Sequence, residues 1–164
     1  MRAEKAFTFI EVIIVVAITL VVVMTAMAAY MKFENKQKVV EEGSRIAQVL
    51  LDLQKRSVQA DLTPCAPGEP LDGYGLSWTA ASLPGSIAFI AKCAGNSYNL
   101  APLFVLRNGV TIHSYSSVGG EGIFTWPNGR VDSNFKIDIE KNNQHVCVSV
   151  DQDKIIANQV SCGI

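Results

Sequence analysis

One carboxylate stands in an otherwise apolar run: Glu11 is the single charged residue between Phe7 and Tyr30, a stretch of 24 residues without proline or glycine. Placing an ionised glutamate inside a bilayer costs about 2.5 to 3.5 kcal/mol on insertion scales, so such a group requires a cationic partner. Four cysteines, Cys65, Cys93, Cys147 and Cys162, lie outside that run and show no C-x-x-C spacing. That pattern suits disulfides in an exported, oxidising location rather than a zinc site. Four cysteines allow three pairings. The favoured one joins Cys65 to Cys93, tying a proline-rich loop to a sheet, and Cys147 to Cys162, closing the terminal hairpin. A turn at 151–154 sets Cys147 opposite Asn158, so Cys162 must curl back past the strand end. His113 and His145 stand singly in strand patterns and read as surface or cross-strand residues. The triplet Asp151-Gln152-Asp153 resembles calcium-binding acidic loops, but aspartate at a hairpin turn is explained by local hydrogen bonding. No G-x-S-x-G, H-E-x-x-H, P-loop or dinucleotide fingerprint occurs. Accordingly no catalytic residue, metal or cofactor is assigned, and the chain does not read as an enzyme.

The elements that carry these residues follow from the hydropathy pattern. Of 164 residues 49% are apolar, and the excess sits in the first 30. As a helix, Phe7 to Tyr30 spans about 36 Å, enough for a hydrocarbon layer about 30 Å thick. Its β-branched run, Val12 to Val16, Ile18 and Val21 to Val23, would also suit a buried strand, but strands do not reach 24 residues. A cleaved secretory signal is the rival, with basic Arg2 and Lys5 and an Ala26-Met27-Ala28 cleavage pattern. The apolar run is longer than a signal core, and a signal has no use for Glu11. After Tyr30 the chain turns charged, with Val39, Val40, Ile46, Val49, Leu50 and Leu53 at helical spacing, which predicts an amphipathic helix over 31–61 continuing the apolar one. Gly43 weakens that helix by about 1 kcal/mol and is a candidate bend, or a joint between a separate anchor and a domain helix.

Residues 62–75, with Pro64, Pro67 and Pro70, predict a loop. Beyond it, alternating segments at 86–92, 103–107, 110–115, 123–126, 135–139, 146–150 and 155–160 predict about seven antiparallel strands, with Asn108-Gly109 as a two-residue hairpin turn. One long helix followed by strands is an α+β grammar, with a β-rich head over 62–164. Ser116 to Gly122 reads as a loop that could face a partner. The formal charge of −1 excludes a strongly basic nucleic-acid binder, and residues 131–164 carry a surplus of acid where phosphate binding needs clustered cations.

The run Glu4-Lys5-Ala6-Phe7-Thr8-Phe9-Ile10-Glu11-Val12-Ile13-Ile14-Val15 resembles the N-terminal signal of type IV pilins and type II secretion pseudopilins. Gly122 to Arg130, with its Trp126-Pro127-Asn128-Gly129 turn, is similar to the C-terminal half of GspH/FimT-type minor pilins. The resemblance implies a leader at 1–6 removed by prepilin peptidase, which cuts between Ala6 and Phe7 and methylates the new amine. It implies a transmembrane and filament-core helix at 7–30, and Glu11 pairing with the Phe7 amine of a neighbouring subunit to set stagger during assembly. At about 4 Å and an effective dielectric of 20, such a pair attracts by about 4 kcal/mol, which offsets the burial of the glutamate. Implied partners are other pilins or pseudopilins, the peptidase, an inner-membrane assembly platform and, before assembly, the membrane. The implied location is the bacterial inner membrane with the head outside the cytoplasm, then a pilus or periplasmic pseudopilus. Ala6 stands where the family mostly has glycine, and Leu20 and Ala28 stand where major pilins often carry a glycine and a proline. The uninterrupted helix therefore points to a minor subunit. The alternative is a pilus-tip module for DNA or surfaces.

Overall fold

The computed structural model describes residues 8–78, 86–116, 121–152, 154–158 and 161–163, with the backbone alone at 101–103. Helix α1 (Phe9–Val58) is followed among the described residues by nine strands: β1 (Leu71–Ser77), β2 (Ser86–Cys93), β3 (Asn96–Val105), β4 (Thr111–Ser116), β5 (Glu121–Thr125), β6 (Arg130–Val131), β7 (Phe135–Lys141), β8 (Gln144–Asp151) and β9 (Lys154–Asn158). The chain divides into two compact units between Asn35 and Lys36. The fold is α+β, with the strands in antiparallel sheets.

In the first unit α1 starts where the Thr8 carbonyl accepts the N–H groups of Glu11 (3.1 Å) and Val12 (3.3 Å). Hydroxyls in an apolar helix need a partner without water, and they find it in the preceding turn: Thr19 Oγ1 donates to the Val15 carbonyl and Thr25 Oγ1 to that of Val22 at 2.9 Å.

In the second unit α1 buries Val39, Glu42, Gly43, Ile46, Leu50, Leu53 and Ser57, a stripe at intervals of three and four. Gly43 is neither a bend nor a joint: the helix passes through it without a break. A Cβ on Gly43 would lie 2.6 Å from Val146 Cγ1, so the residue is small because a strand packs against the helix backbone there. The helical end is fixed by long-range bonds. Buried Ser57 Oγ donates to the Phe124 carbonyl at 2.7 Å, and Gln54 Nε2 to that of Gly129 at 2.9 Å.

Two sheets share the second unit. One has the order β3-β2-β1-β5-β6 and the other β4-β7-β8-β9. Their inward faces meet through aromatic rings, with Phe135 of β7 5.6 Å from Trp78 and 6.4 Å from Phe124 of β5. Leu50, Tyr74, Leu76, Ile137 and Val148 are wholly buried alongside.

Three expectations need correction. The strand count rises from seven to nine, because β1 begins at Leu71 inside the expected loop and β6 adds a short partner to β5. Strand β1 was hidden by Gly73 and Gly75, and the reason lies across the sheet: a Cβ at either would sit 2.1 Å from a β5 carbonyl oxygen, of Phe124 or Gly122. Asn108-Gly109 is a tight turn but not a hairpin. Both residues have positive φ, 58° and 69°, and Val110 N–H closes onto the Arg107 carbonyl at 3.0 Å, yet β3 and β4 belong to different sheets. Leu106 and Val110 flank the turn and are both buried, so the chain enters the core and changes sheet there. Ser117 to Gly120 of the loop expected at 116–122 lie outside the described residues.

Candidate functional site

Ala6 and Phe7 lie outside the described residues, so the expected cleavage bond is not placed. Glu11 is placed: it occupies the first turn of α1, exposed, with Val12, Val15 and Val16 beside it. A carboxylate at a helix N-terminus is favoured by the unpaired N–H groups there. Around it the side chains from Phe9 to Met31 are exposed on every face and mostly apolar, including Phe9, Met24 and Tyr30 at 82%, 68% and 66%. Such a helix is long and apolar enough to cross a membrane. Exposed apolar surface on all sides of a helix demands a cover of lipid or of other helices. Glu11 is the one charge within that surface.

In the second unit the structure joins Cys65 to Cys93, with Cα atoms 5.7 Å apart, and Cys147 to Cys162, with Cα atoms 4.9 Å apart. Both separations are usual for a disulfide. The first ties the loop before β1 to the end of β2. That loop is also held by Glu69, whose Oε2 accepts the Tyr98 hydroxyl at 2.9 Å and the Ala66 N–H at 3.2 Å. Donation to a carboxylate keeps the Tyr98 phenol above its ordinary pKa. Its other anchor is Tyr74, fully buried, which donates to the Asp61 carbonyl at 2.7 Å. Burial, reinforced by the Asp61 carboxylate, pushes the Tyr74 phenol up to about 12. Asp61 itself is held low by Thr63, whose hydroxyl (2.5 Å) and N–H (3.1 Å) both donate to its Oδ1.

The second disulfide follows from register. Cys147 pairs with Asn158, and the ladder runs on to Asp151↔Lys154. The chain then returns through Ser161, whose hydroxyl donates to Asp138 Oδ2 at 3.0 Å. Gln152 donates its N–H to Asn134 Oδ1 and accepts from Val131 N–H; Asp153 lies outside the described residues.

His113 and His145, which the sequence leaves apart, come together on the outer face of the β4-β7-β8-β9 sheet. Their rings meet edge to face at 5.0 Å. Glu140 Oε2 lies 3.2 Å from His113 Nδ1 and 3.4 Å from His145 Nε2, while His145 Nδ1 lies 3.3 Å from Asp138 Oδ2. Asp138 is only 1% exposed, covered by the returning C-terminal residues. Alternation in Phe135 to Glu140 predicts that Asp138 and Glu140 share a face; it cannot predict which strands flank them. Among the described residues no three His, Cys, Asp or Glu side chains are placed to hold a metal ion.

Residues 1–27 match the family model described as the prokaryotic N-terminal methylation motif. That motif marks a prepilin-like chain of the type IV pilin and pseudopilin kind, a structural rather than enzymatic group whose members are processed by prepilin peptidase, anchored in a membrane and assembled with other pilins. No curated protein and no solved structure matches the chain.

Proposed function

We propose that this chain is a minor pilin or pseudopilin, a structural subunit of a type IV pilus or type II secretion pseudopilus that assembles through its N-terminal helix. The carrying observation is the methylation motif at 1–27 running directly into a helix whose apolar side chains are exposed on every face. In this reading prepilin peptidase cuts between Ala6 and Phe7 and methylates the Phe7 amine. Glu11, one turn further along the same face, then takes the amine of a neighbouring subunit as its cation. The subunit waits in the inner membrane with the strand-rich unit outside the cytoplasm, where Cys65–Cys93 and Cys147–Cys162 meet an oxidising environment. The turn at Trp126 to Arg130 supports a GspH/FimT-type subunit.

Mass spectrometry of the mature N-terminus tests the reading. A start at methylated Phe7 is expected, and a start near Ala29 or Tyr30 would make the helix a discarded signal. Glu11→Val should leave membrane insertion intact and abolish incorporation into filaments; normal incorporation would remove the role given to Glu11.

A further inference from the structure

Strand β3 is the longest strand among those described and lies at an edge of its sheet, paired with β2 alone. Edge strands present unpaired N–H and C=O groups and are usually blunted by charge. The sequence Asn96-Ser97-Tyr98-Asn99-Leu100-Ala101-Pro102-Leu103-Phe104-Val105 contains no charged residue, and Pro102 withdraws a single donor. Beside this edge a groove of about 680 Å³ runs between β3 and α1. Its floor is apolar: Val49 and Leu53 from the helix, Phe89, Leu100 and Phe104 from the sheet. The Phe89 and Phe104 rings meet at 5.8 Å.

The rim is cationic. Arg45, Arg56 and Arg107 line it, against Asp52. Arg45 lies over the Phe104 ring at 4.8 Å with its charge engaged by Glu42 at 2.6 Å. Arg56 meets Asp52 at 2.9 Å, an exposed pair in which water screens the attraction. Arg107 is exposed and has no acidic partner among the described residues. A surplus of guanidinium around an apolar groove, on a chain whose formal charge is −1, selects an acidic occupant.

We propose that the β3 edge and this groove form a docking site for an extended acidic peptide segment of a partner protein, which adds as a strand to β3. The register supports the geometry. Phe89 lies opposite Leu100 and Ile87 opposite Phe104, with the register shifting between the two pairs, and Leu100 and Phe104 both line the groove. A strand added beyond β3 places every second side chain on the face that looks into the groove, about 6.6 to 6.8 Å apart. Apolar side chains at those positions fill the groove. Carboxylates near its ends meet Arg107 and Arg56, whose planar forks match a carboxylate's two oxygens. This docking is independent of filament assembly: a chain that fails to assemble would still bind.

The test uses the full chain in detergent micelles, followed by amide NMR and hydrogen exchange. The probe is the blocked peptide Glu-Val-Glu-Leu-Glu-Val, compared with its lysine counterpart Lys-Val-Lys-Leu-Lys-Val. The acidic peptide is expected to shift the amides of Asn96 to Val105 saturably and to slow exchange of the outward-facing ones, with the lysine peptide at least about tenfold weaker. Arg107→Glu should weaken the acidic peptide about tenfold, the size of one charge-assisted hydrogen bond. Equal binding of both peptides, saturable shifts confined to other strands, shifts without slowed exchange, or no binding would each overturn the proposal. So would a short oligothymidylate that competes at the same amides, since that would make the rim a general anion patch.

Discussion

A methyl group on Gly43 would lie 2.6 Å from Val146 Cγ1 and 3.6 Å from Val146 Cβ. The helix backbone and β8 therefore touch directly, at a position where the sequence suggests only a weak point. Val146 is 3% exposed, and its branched side chain is stiff.

Gly43→Ala sets two effects against each other. Alanine gains about 1 kcal/mol of helix propensity, while overpacking a filled core costs about 1 to 3 kcal/mol. With a valine that cannot swing away, overpacking should win by about 1 kcal/mol, lowering Tm by about 2 to 4 °C for a chain of this size. Circular dichroism melts of the full chain in detergent measure this. In a Val146→Ala background the same substitution should raise Tm instead, and a rise in the single variant would show that Val146 yields.

Glu42 and Arg45 offer a second check. Arg45 Nη1 lies 2.8 Å and 2.6 Å from the two oxygens of Glu42, whose side chain is 1% exposed while that of Arg45 is 27% exposed. Arg45→Met strands a buried carboxylate and should cost about 3 kcal/mol, the bottom of the range for breaking a buried pair, because water still reaches the arginine. Glu42→Leu combined with Arg45→Met should recover most of that loss. Chemical denaturation of the four members of this cycle gives the coupling, and additive losses would mean that the two charges do not depend on each other.

What the sequence conveyed and what it withheld divide along the range of the interactions. The helix was legible because Val39, Ile46, Leu50 and Leu53 repeat at its period, and Glu42 falls on the same stripe, three residues after Val39 and four before Ile46. Its burial was readable in principle from that spacing. The β8–β9 register was legible because the turn is short and the alternation of Val146, Val148 and Val150 fixes which residues face the core. Strand β1 was not, since its glycines answer to carbonyls of β5 about 50 residues away. The change of sheet at Asn108-Gly109 was not legible either: positive φ values dictate a turn, but the strand that receives β4 is β7. In the candidate site, Glu11 stood out as a charge in an apolar run. The meeting of His113 with His145 needed the whole sheet order.

Tyr74 makes alkaline stability readable. Its phenol is raised in the folded chain to about 12, whereas an unfolded tyrosine ionises near about 10. The unfolded state therefore loses its proton first, and stability is full below about pH 10 and falls as pH rises towards about 12. A two-unit difference corresponds to a loss of about 2 kcal/mol by pH 12. Tyr74→Phe loses the bond to the Asp61 carbonyl, costing about 1 kcal/mol at neutral pH, but should show a flatter decline above pH 10. Unfolding curves for both proteins between pH 8 and 12 decide it; parallel declines would mean that Tyr74 ionises as readily folded as unfolded.

The two disulfides should differ in consequence more than in energy. Cys65–Cys93 closes a separation of 28 residues and Cys147–Cys162 one of 15. On chain entropy alone their removal costs about 3.5 and about 3 kcal/mol. The paired substitution Cys147→Ala with Cys162→Ala also frees residues 161–163 and with them the Ser161 hydroxyl that caps Asp138. His145, whose side chain is 20% exposed beside Asp138, should then react several-fold faster with diethyl pyrocarbonate, while His113, already 51% exposed, should change little. Cys65→Ala with Cys93→Ala should destabilise the protein without altering the ratio of the two histidine rates. Peptide mass mapping reads that ratio under native conditions, at temperatures well below either variant's melt. Equal acceleration of both histidines would indicate general loosening of the sheet, and an unchanged His145 rate would show that strand pairing holds the tail in place without the disulfide.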